Sequence, residues 1–225
     1  MTLQHVDIVF QIIAFLLAIS VHESAHAWTA NRCGDPTARM LGRISLNPIR
    51  HIDPVGTVLL PLIAALSNFP MIGWAKPTPV DPRNFKNQVL DDILTSVAGS
   101  TSNFIVATGA TIVLCAIALV VPDGRAIVRY TVAGIAAGSS VWVPVCLLLY
   151  EIVEINVLLA VFNLIPIPPL DGSHVLRHFL SDSVRRVYDM VGIFALMALV
   201  FFGGNLLFAL IRPFMNLYRS VLLGV

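Results

Sequence analysis

Long apolar runs dominate the pattern of this chain. A helix that crosses a bilayer needs about 20 mostly apolar residues. Four runs meet this length, at about residues 6–30, 93–121, 141–162 and 190–211, and the last is predicted to end before Pro213. They predict an all-α integral membrane helix bundle of about four spanning helices.

Two further segments complete the predicted fold. Residues 55–74 are apolar but short, and Pro61 and Pro70 interrupt them. Because proline breaks a helix interior, this segment is predicted to re-enter the membrane or to lie in the interface. Residues 40–46, MLGRISL, predict a small β element after the first helix.

The composition supports a membrane protein. Hydrophobic residues make up 57% of the 225 residues and charged residues 12%, with a mean hydropathy of +0.84, whereas a soluble domain is about 25% charged. The net charge is only +1 and the cations are scattered, which argues against a nucleic-acid partner. We therefore predict a single membrane-embedded domain over residues 1–225, surrounded by the lipid bilayer.

A metal-binding pattern lies inside the first apolar run. His22-Glu23-Ser24-Ala25-His26 is the HExxH pattern, whose two histidines lie on one helical face. Two imidazoles at this spacing can bind one Zn²⁺, and Glu23 can act as general base on a water molecule. Ionisable groups inside an apolar helix are costly and mark function. The plainer alternative is a helix end whose polar residues face water.

A catalytic zinc site needs a third protein ligand. Asp171 follows residues 163–170, NLIPIPPL, whose three prolines forbid a regular helix. At membrane depth such backbone is tolerated only when it is buried in protein or lines a wet cavity. Asp171 is therefore the favoured third ligand, with helix capping as its alternative role. The rival ligands, each with a plain interfacial role as its alternative, are His51, Asp53, Asp91 and Asp92.

Together these motifs resemble the site-2 protease family of intramembrane zinc metalloproteases. HESAH at residues 22–26 and NLIPIPPLDG at residues 163–172 carry the resemblance. The stretches GRISLNPIRHIDPVGTVLLP and GWAKPTPVDPRNF look like the short prokaryotic branch, which lacks a PDZ domain.

The resemblance implies a site and a reaction. One Zn²⁺ per chain would be held by His22, His26 and Asp171, with Glu23 activating the water. Asn163 would hold the substrate backbone or the developing oxyanion. The implied reaction is hydrolysis of peptide bonds in or near the transmembrane segments of single-span membrane proteins.

Two positions depart from the family's usual pattern. Its middle helix usually carries Gly-Pro-x-x-Asn, whereas this chain has Ser100 between Gly99 and Asn103, so the kink expected of the proline is softer. Its aspartate motif usually ends Asp-Gly-Gly, whereas Ser173 follows Gly172 here. Neither change removes a ligand, so they bear on local backbone geometry and not on the reaction class.

The cations predict which side of the membrane holds the site. If residues 55–74 do not cross, both ligand groups emerge on one side, which carries ten of the 14 lysines and arginines. The positive-inside rule then places the site toward the cytoplasm of a prokaryotic plasma membrane. These ten residues are Arg32, Arg39, Arg43, Arg50, Lys76, Arg83, Lys86, Arg177, Arg185 and Arg186.

Two alternatives from other classes stay open at this point. A zinc transporter or channel would need a second acidic or histidine cluster, and the later spans offer little beyond Asn103, Glu151 and Glu154. The two glutamates share a helix face and have no evident place in a protease. A catalytically inactive scaffold would not need HExxH and Asp171. Within the protease hypothesis, an edge strand near residues 41–46 would bind unwound substrate by β-addition.

Overall fold

A computed structural model describes residues 3–59, 63, 74–136 and 138–225, with side chains from residue 8 onward except at position 58. All regular secondary structure in these residues is helical. The α-helices are α1 (Leu3–Cys33), α2 (Thr37–Met40), α3 (Gln88–Val120), α4 (Gly124–Val132), α5 (Trp142–Asn163), α6 (Asp171–Arg177), α7 (Asp182–Phe202) and α8 (Gly204–Gly224). Single 3₁₀ turns cover Pro48–Arg50 and Pro82–Asn84, and a π-helical turn covers Pro54–Leu59.

Four described helices are long and apolar enough to cross a membrane. They are Ile8–Cys33, Gln88–Val120, Trp142–Asn163 and Gly204–Gly224. The first three agree with the predicted spans, and the predicted helical membrane protein is confirmed.

The fourth span was predicted in the wrong place. Residues 190–211 are divided at Gly203, whose N–H still donates to the carbonyl of Leu199 at 2.8 Å while Gly204 begins the next helix. Two adjacent glycines have the weakest helix propensity after proline, which accounts for the break. Pro213 lies inside α8 and does not end it. Membrane helices tolerate such a proline because neighbouring groups satisfy the freed carbonyl.

The strand predicted for residues 40–46 is wrong. Gly42 follows α2 with a left-handed φ of 67°. Its N–H donates to the carbonyl of Arg39, and the N–H of Arg43 donates to the carbonyl of Ala38, both at 2.9 Å. This is the Schellman ending of a helix, which uses these N–H groups within the turn. No strand occurs in the described ranges. Residues 41–46 therefore do not supply the edge strand to which an unwound substrate was predicted to pair.

The chain divides into two compact units. The larger unit is Met1–Ala18 with Ser100–Val225, and the smaller unit is Ile19–Gly99. In the larger unit, α3, α4, α5 and α8 share one apolar core of mostly small and branched side chains, which lets helices pack closely without a water-driven force. Its most buried members include Ala107, Leu114, Val128, Cys146, Val153, Val157 and Leu222.

Polar contacts between helices add to this core. The amide of Asn103 on α3 donates to Oδ1 of Asn156 on α5 at 3.1 Å, and both side chains are fully buried. Arg219 of α8 donates to Oε1 of Glu154 and to the hydroxyl of Tyr150, both at 2.8 Å. These contacts join transmembrane helices. They give Asn103 and Glu154 structural partners, so fewer polar side chains in the spans are available to line a transport pathway.

The smaller unit contains the second half of α1, the start of α3 and the segments between them. Residues 60–62 and 64–73, most of the segment predicted to re-enter the membrane or lie in its interface, are outside the described residues, so that prediction stays a prediction. The described start of this segment is the turn Pro54–Leu59, which the preceding Asp53 caps: its Oδ1 accepts the N–H groups of Val55 (3.0 Å) and Gly56 (2.8 Å).

Asp35 joins two segments of the smaller unit. Its carboxylate is fully buried, and Oδ1 accepts the N–H and the hydroxyl of Thr37 at 3.1 and 2.5 Å and the amide of Asn84 at 2.9 Å. Oδ2 accepts the N–H of Asp81 at 2.8 Å. Burial pushes the pKa of Asp35 upward, but the hydrogen bonds from Thr37, Asp81 and Asn84 outweigh it and hold the pKa below its usual value.

Replacing Asp35 with asparagine should destabilise the protein by about 2–3 kcal/mol, since either orientation of the new amide turns an NH₂ group toward a donor. Asp53→Asn is the matched control, because an asparagine oxygen caps the turn equally well. The midpoint of thermal unfolding in detergent measures both. Because the pKa of Asp35 is lowered, its contribution is present at neutral pH and is lost as the pH falls through the folded-state pKa. Equal midpoints for the two variants would contradict the role given to Asp35.

Candidate metal centre

His22 and His26 form a buried pair one helical turn apart in α1. Only 6% and 8% of their surfaces are exposed, and their Nε2 atoms are 3.0 Å apart. Nδ1 of His26 is 2.7 Å from the carbonyl oxygen of Thr95. A carbonyl can only accept, so Nδ1 is the donor in this contact, and in a neutral imidazole Nε2 is then the nitrogen that carries the lone pair a metal needs. Two nitrogens at about 2.0–2.1 Å from one zinc ion lie less than about 4.2 Å apart, so the pair fits this metal.

Gly99 keeps the space beside these two rings open. A Cβ atom at this position would lie 2.5 Å from Cε1 of His22 and 2.5 Å from Nε2 of His26. Real Cβ atoms do not approach other atoms so closely, and therefore α3 can pass the imidazole pair only with glycine here. The helix runs unbroken through Ser100, where the family's usual pattern has proline.

Glu23 is oriented by Thr78, which the sequence did not identify as a site residue. Oε2 of Glu23 accepts the N–H of Thr78 at 2.9 Å and its hydroxyl at 2.7 Å. Thr78 lies in the proline-rich stretch GWAKPTPVDPRNF, and its two neighbouring prolines were the only indication of a fixed backbone at this point. The carboxylate next to the histidine pair is thus held by both donors of one residue.

The rival ligands have other partners in the smaller unit. His51 is fully buried, and its Nε2 lies 2.7 Å from the carbonyl oxygen of Ser45. Asp53 caps the turn at Pro54–Leu59. Oδ2 of Asp91 accepts the N–H of Asn87 at 2.8 Å at the start of α3, where Asp92 is the next, half-buried residue. Loop and cap hydrogen bonds account for His51, Asp53 and Asp91.

Asp171 belongs to the larger unit and is the first residue of α6. A Cβ atom at the following Gly172 would lie 2.3 Å from the carbonyl oxygen of Leu164, so only glycine allows the chain to turn back here. The hydroxyl of Tyr188 donates to the carbonyl of Pro166 at 2.9 Å and joins this loop to α7. Ser173, at the family's usual second glycine, is buried within α6 and needs no unusual backbone.

Asn163 is the last residue of α5 and is half-buried. Its amide nitrogen donates one hydrogen bond to the carbonyl of Leu159 at 3.0 Å. An amide carries two N–H donors and an acceptor oxygen, so this contact uses part of the hydrogen-bonding capacity of Asn163.

Comparison with known proteins places the chain in a family. The sequence profile of peptidase family M50 matches residues 10–203. The chain belongs to peptidase family M50. The sequence-based resemblance to intramembrane zinc metalloproteases is thereby confirmed, and a family M50 member with these apolar spans and buried histidines is an intramembrane zinc metalloprotease.

Curated relatives agree with this placement. YwhC of Bacillus subtilis, named as a candidate zinc metalloprotease, is 35% identical over 176 residues, which cover 78% of this chain and 71% of YwhC. Rip2 of Mycolicibacterium smegmatis, named in the same way, is 27% identical, with 82% of this chain and 62% of Rip2 covered. Rip2 of Mycobacterium tuberculosis H37Rv is 28% identical, with 85% and 65% covered. The chain thus spans less than two thirds of the Rip2 proteins, and no solved structure matches it.

Proposed function

We propose that this protease hydrolyses peptide bonds in or near the transmembrane segments of single-span membrane proteins. One zinc ion would be held by His22, His26 and Asp171. The buried pair of imidazoles, with Nε2 atoms 3.0 Å apart inside a membrane-spanning helix, is the observation that carries the proposal. Two nitrogens and one carboxylate form a ligand set known from catalytic zinc sites, and they leave a position open for chemistry.

Each residue would have a distinct part in the reaction. Zinc, when bound, acts as a Lewis acid that polarises a carbonyl and makes a water molecule more acidic. Glu23 would take the proton from the attacking water and pass it to the leaving amine. Asn163 would donate an amide hydrogen to the substrate backbone or to the oxyanion, which stabilises charge as it develops.

The depth of the histidines suits a reaction that consumes water. The span Ile8–Cys33 has 26 residues and extends about 39 Å, which exceeds a hydrocarbon core of about 30 Å. His26 lies seven residues before Cys33, about 10 Å along the helix axis. The candidate centre is therefore near one end of the helix, where water has a short path to it.

The same end of α1 is proposed to face the cytoplasm. Arg212 and Arg219 now fall inside the fourth span, so the segment between α3 and α5 retains only Arg125 and Arg129. The lysine and arginine bias toward the proposed site side is thus greater than the sequence alone indicated.

The variant Arg83→Cys tests the proposed cytoplasmic orientation. A membrane-impermeant thiol reagent should label this exposed position only from the cytoplasmic side, and labelling from outside the cell would contradict the orientation.

Cleavage in reconstituted membranes tests the proposed function. The purified protein is placed in proteoliposomes with a panel of single-span substrates, and mass spectrometry locates the cleaved bonds. We expect cuts in or beside the transmembrane segment, lost with a zinc chelator and restored by zinc. Cuts confined to soluble loops, or cleavage that persists after the metal is removed, would contradict the proposal.

A transporter is the second candidate, and the described side chains favour it less. A transport pathway needs a second cluster of metal-binding groups, and the described residues outside the proposed ligands include no three histidine, cysteine or acidic side chains close enough to hold a metal. Glu154, which the sequence left unplaced, forms an ion pair with Arg219 at 2.8 Å. Uptake of radioactive zinc by proteoliposomes that contain the protein and no internal zinc would indicate a transporter.

A further inference from the structure

The backbone N–H and the side-chain hydroxyl of Thr78 both donate hydrogen bonds to one carboxylate oxygen of Glu23, Oε2. We infer that Thr78 is a positioning residue for hydrolysis, which fixes the carboxylate of Glu23 in the orientation that takes a proton from water. This inference rests on the proposed role of Glu23 as general base.

The two carboxylate oxygens of Glu23 differ in their hydrogen bonds, because Thr78 donates to Oε2 and not to Oε1. The N–H of Thr78 donates to Oε2 at 2.9 Å and the hydroxyl donates to the same atom at 2.7 Å. The hydroxyl also lies 3.0 Å from the backbone carbonyl oxygen of Glu23, so it stays beside the helix that carries this residue. Hydrogen bonds to an ionised oxygen are the strong kind. Turning the carboxylate would break both of them, which leaves Oε1 as the oxygen available to a water molecule.

The backbone around Thr78 has little freedom. Pro77 and Pro79 flank it, and each proline ring fixes its own φ near −65°. A residue before proline is driven to the extended region, so Pro79 sets the backbone of Thr78 as well. The direction of the Thr78 N–H is therefore decided largely by local covalent structure.

Three hydrogen bonds attach this stretch to buried groups on either side of Thr78. The N–H of Lys76 donates to the carbonyl of His51 at 2.9 Å, and the guanidinium of Arg43 donates to the carbonyl of Pro77 at 3.3 Å. Beyond Thr78, the N–H of Asp81 donates to the buried carboxylate of Asp35 at 2.8 Å. Arg43 and His51 are themselves buried, at 7% and 0% exposure. The segment that carries Thr78 is thus fixed at both ends.

A fixed carboxylate matters to this reaction in a specific way. Proton transfer requires the accepting lone pair to lie along the O–H bond of the water, and a misdirected base loses part of its effect. Substrate affinity and zinc affinity do not depend on that alignment. The loss of the Thr78 hydroxyl should therefore lower kcat and leave KM and zinc content unchanged.

Two variants at position 78 separate positioning from simple packing. Thr78→Val keeps the shape and the N–H but removes the hydroxyl, and Thr78→Ser keeps the hydroxyl with one methyl group fewer. In proteoliposomes with a cleaved single-span substrate, we expect kcat of Thr78→Val to fall roughly tenfold, because one of two donors is lost. Its KM and its zinc per chain should stay within about twofold of the wild type. Thr78→Ser should retain kcat within about threefold.

Other outcomes would overturn the inference. Wild-type kcat in Thr78→Val would show that the hydroxyl does not orient Glu23. Equal loss in both variants, or loss of zinc together with kcat, would show a packing role only. Glu23→Gln is measured beside them: an active Glu23→Gln contradicts the general base itself, whereas an inactive Glu23→Gln with a fully active Thr78→Val contradicts only the role of Thr78.

Discussion

Replacing Glu23 with glutamine should abolish cleavage of every membrane substrate while zinc stays bound. Glutamine has the same shape, and its amide oxygen can accept both hydrogen bonds from Thr78 that Oε2 accepts now. It cannot take up a proton at neutral pH, so the general-base contribution of about 10²–10⁴-fold in rate is lost. The measurement is kcat with a single-span substrate, together with zinc content by mass spectrometry.

The matched control is the same substitution in another membrane span. Glu154 of α5 pairs with Arg219 at 2.8 Å, so Glu154→Gln removes a contact between helices and no reacting group. We expect this variant to keep its cleavage rate within a few fold, although it unfolds at a lower temperature. If the two glutamine variants lost activity to the same extent, Glu23 would have no special role in the chemistry.

Replacing Gly99 with alanine should remove zinc binding. The new Cβ would lie 2.5 Å from both Cε1 of His22 and Nε2 of His26, so one ring at least must move. Movement of His26 would also strain its 2.7 Å hydrogen bond to the carbonyl of Thr95. Substitutions outside the ligand shell already cost about 10–100-fold in metal affinity, and displacing a ligand should cost about 100-fold or more. Cleavage should fall with zinc occupancy.

Gly109 supplies the control for this prediction. It lies in the same helix, α3, and a Cβ atom there meets no atom within 4 Å. Gly109→Ala should keep full zinc occupancy and activity and should stabilise the helix by about 0.5–1 kcal/mol. Full zinc occupancy in Gly99→Ala, measured at limiting zinc, would contradict the close packing of α3 on the imidazoles.

The sequence predicted those parts of the fold that follow from long uniform patterns. Runs of some 20 apolar residues predicted α1, α3 and α5, because no shorter helix can satisfy its backbone across a bilayer. The same runs could not locate the break at Gly203. Apolar residues continue on both sides of Gly203, Gly204 and Asn205, so hydrophobicity alone predicts one span, although this Gly-Gly-Asn interruption is itself a turn signal.

The sequence pattern did not predict the secondary structure of short segments or the contacts between residues far apart in the chain. MLGRISL has the composition of a strand, but Gly42 in a left-handed conformation ends α2 instead, and seven residues are too few to decide between the two. HExxH identified His22, Glu23 and His26 because the helix itself sets their spacing. Thr78 is 55 residues from Glu23 in the chain, and only the folded structure brings its hydroxyl to that carboxylate.

Zinc content per folded chain, measured for the wild type and for Asp171→Ala, tests the central claim most directly. Asp182→Ala is the control, since Asp182 is almost fully exposed at the start of α7. We predict one zinc ion per chain in the wild type and in the control, and a strong loss in Asp171→Ala with unchanged helical content. A well-folded wild type that binds no zinc, or an Asp171→Ala protein that keeps a full equivalent, would contradict a centre formed by His22, His26 and Asp171.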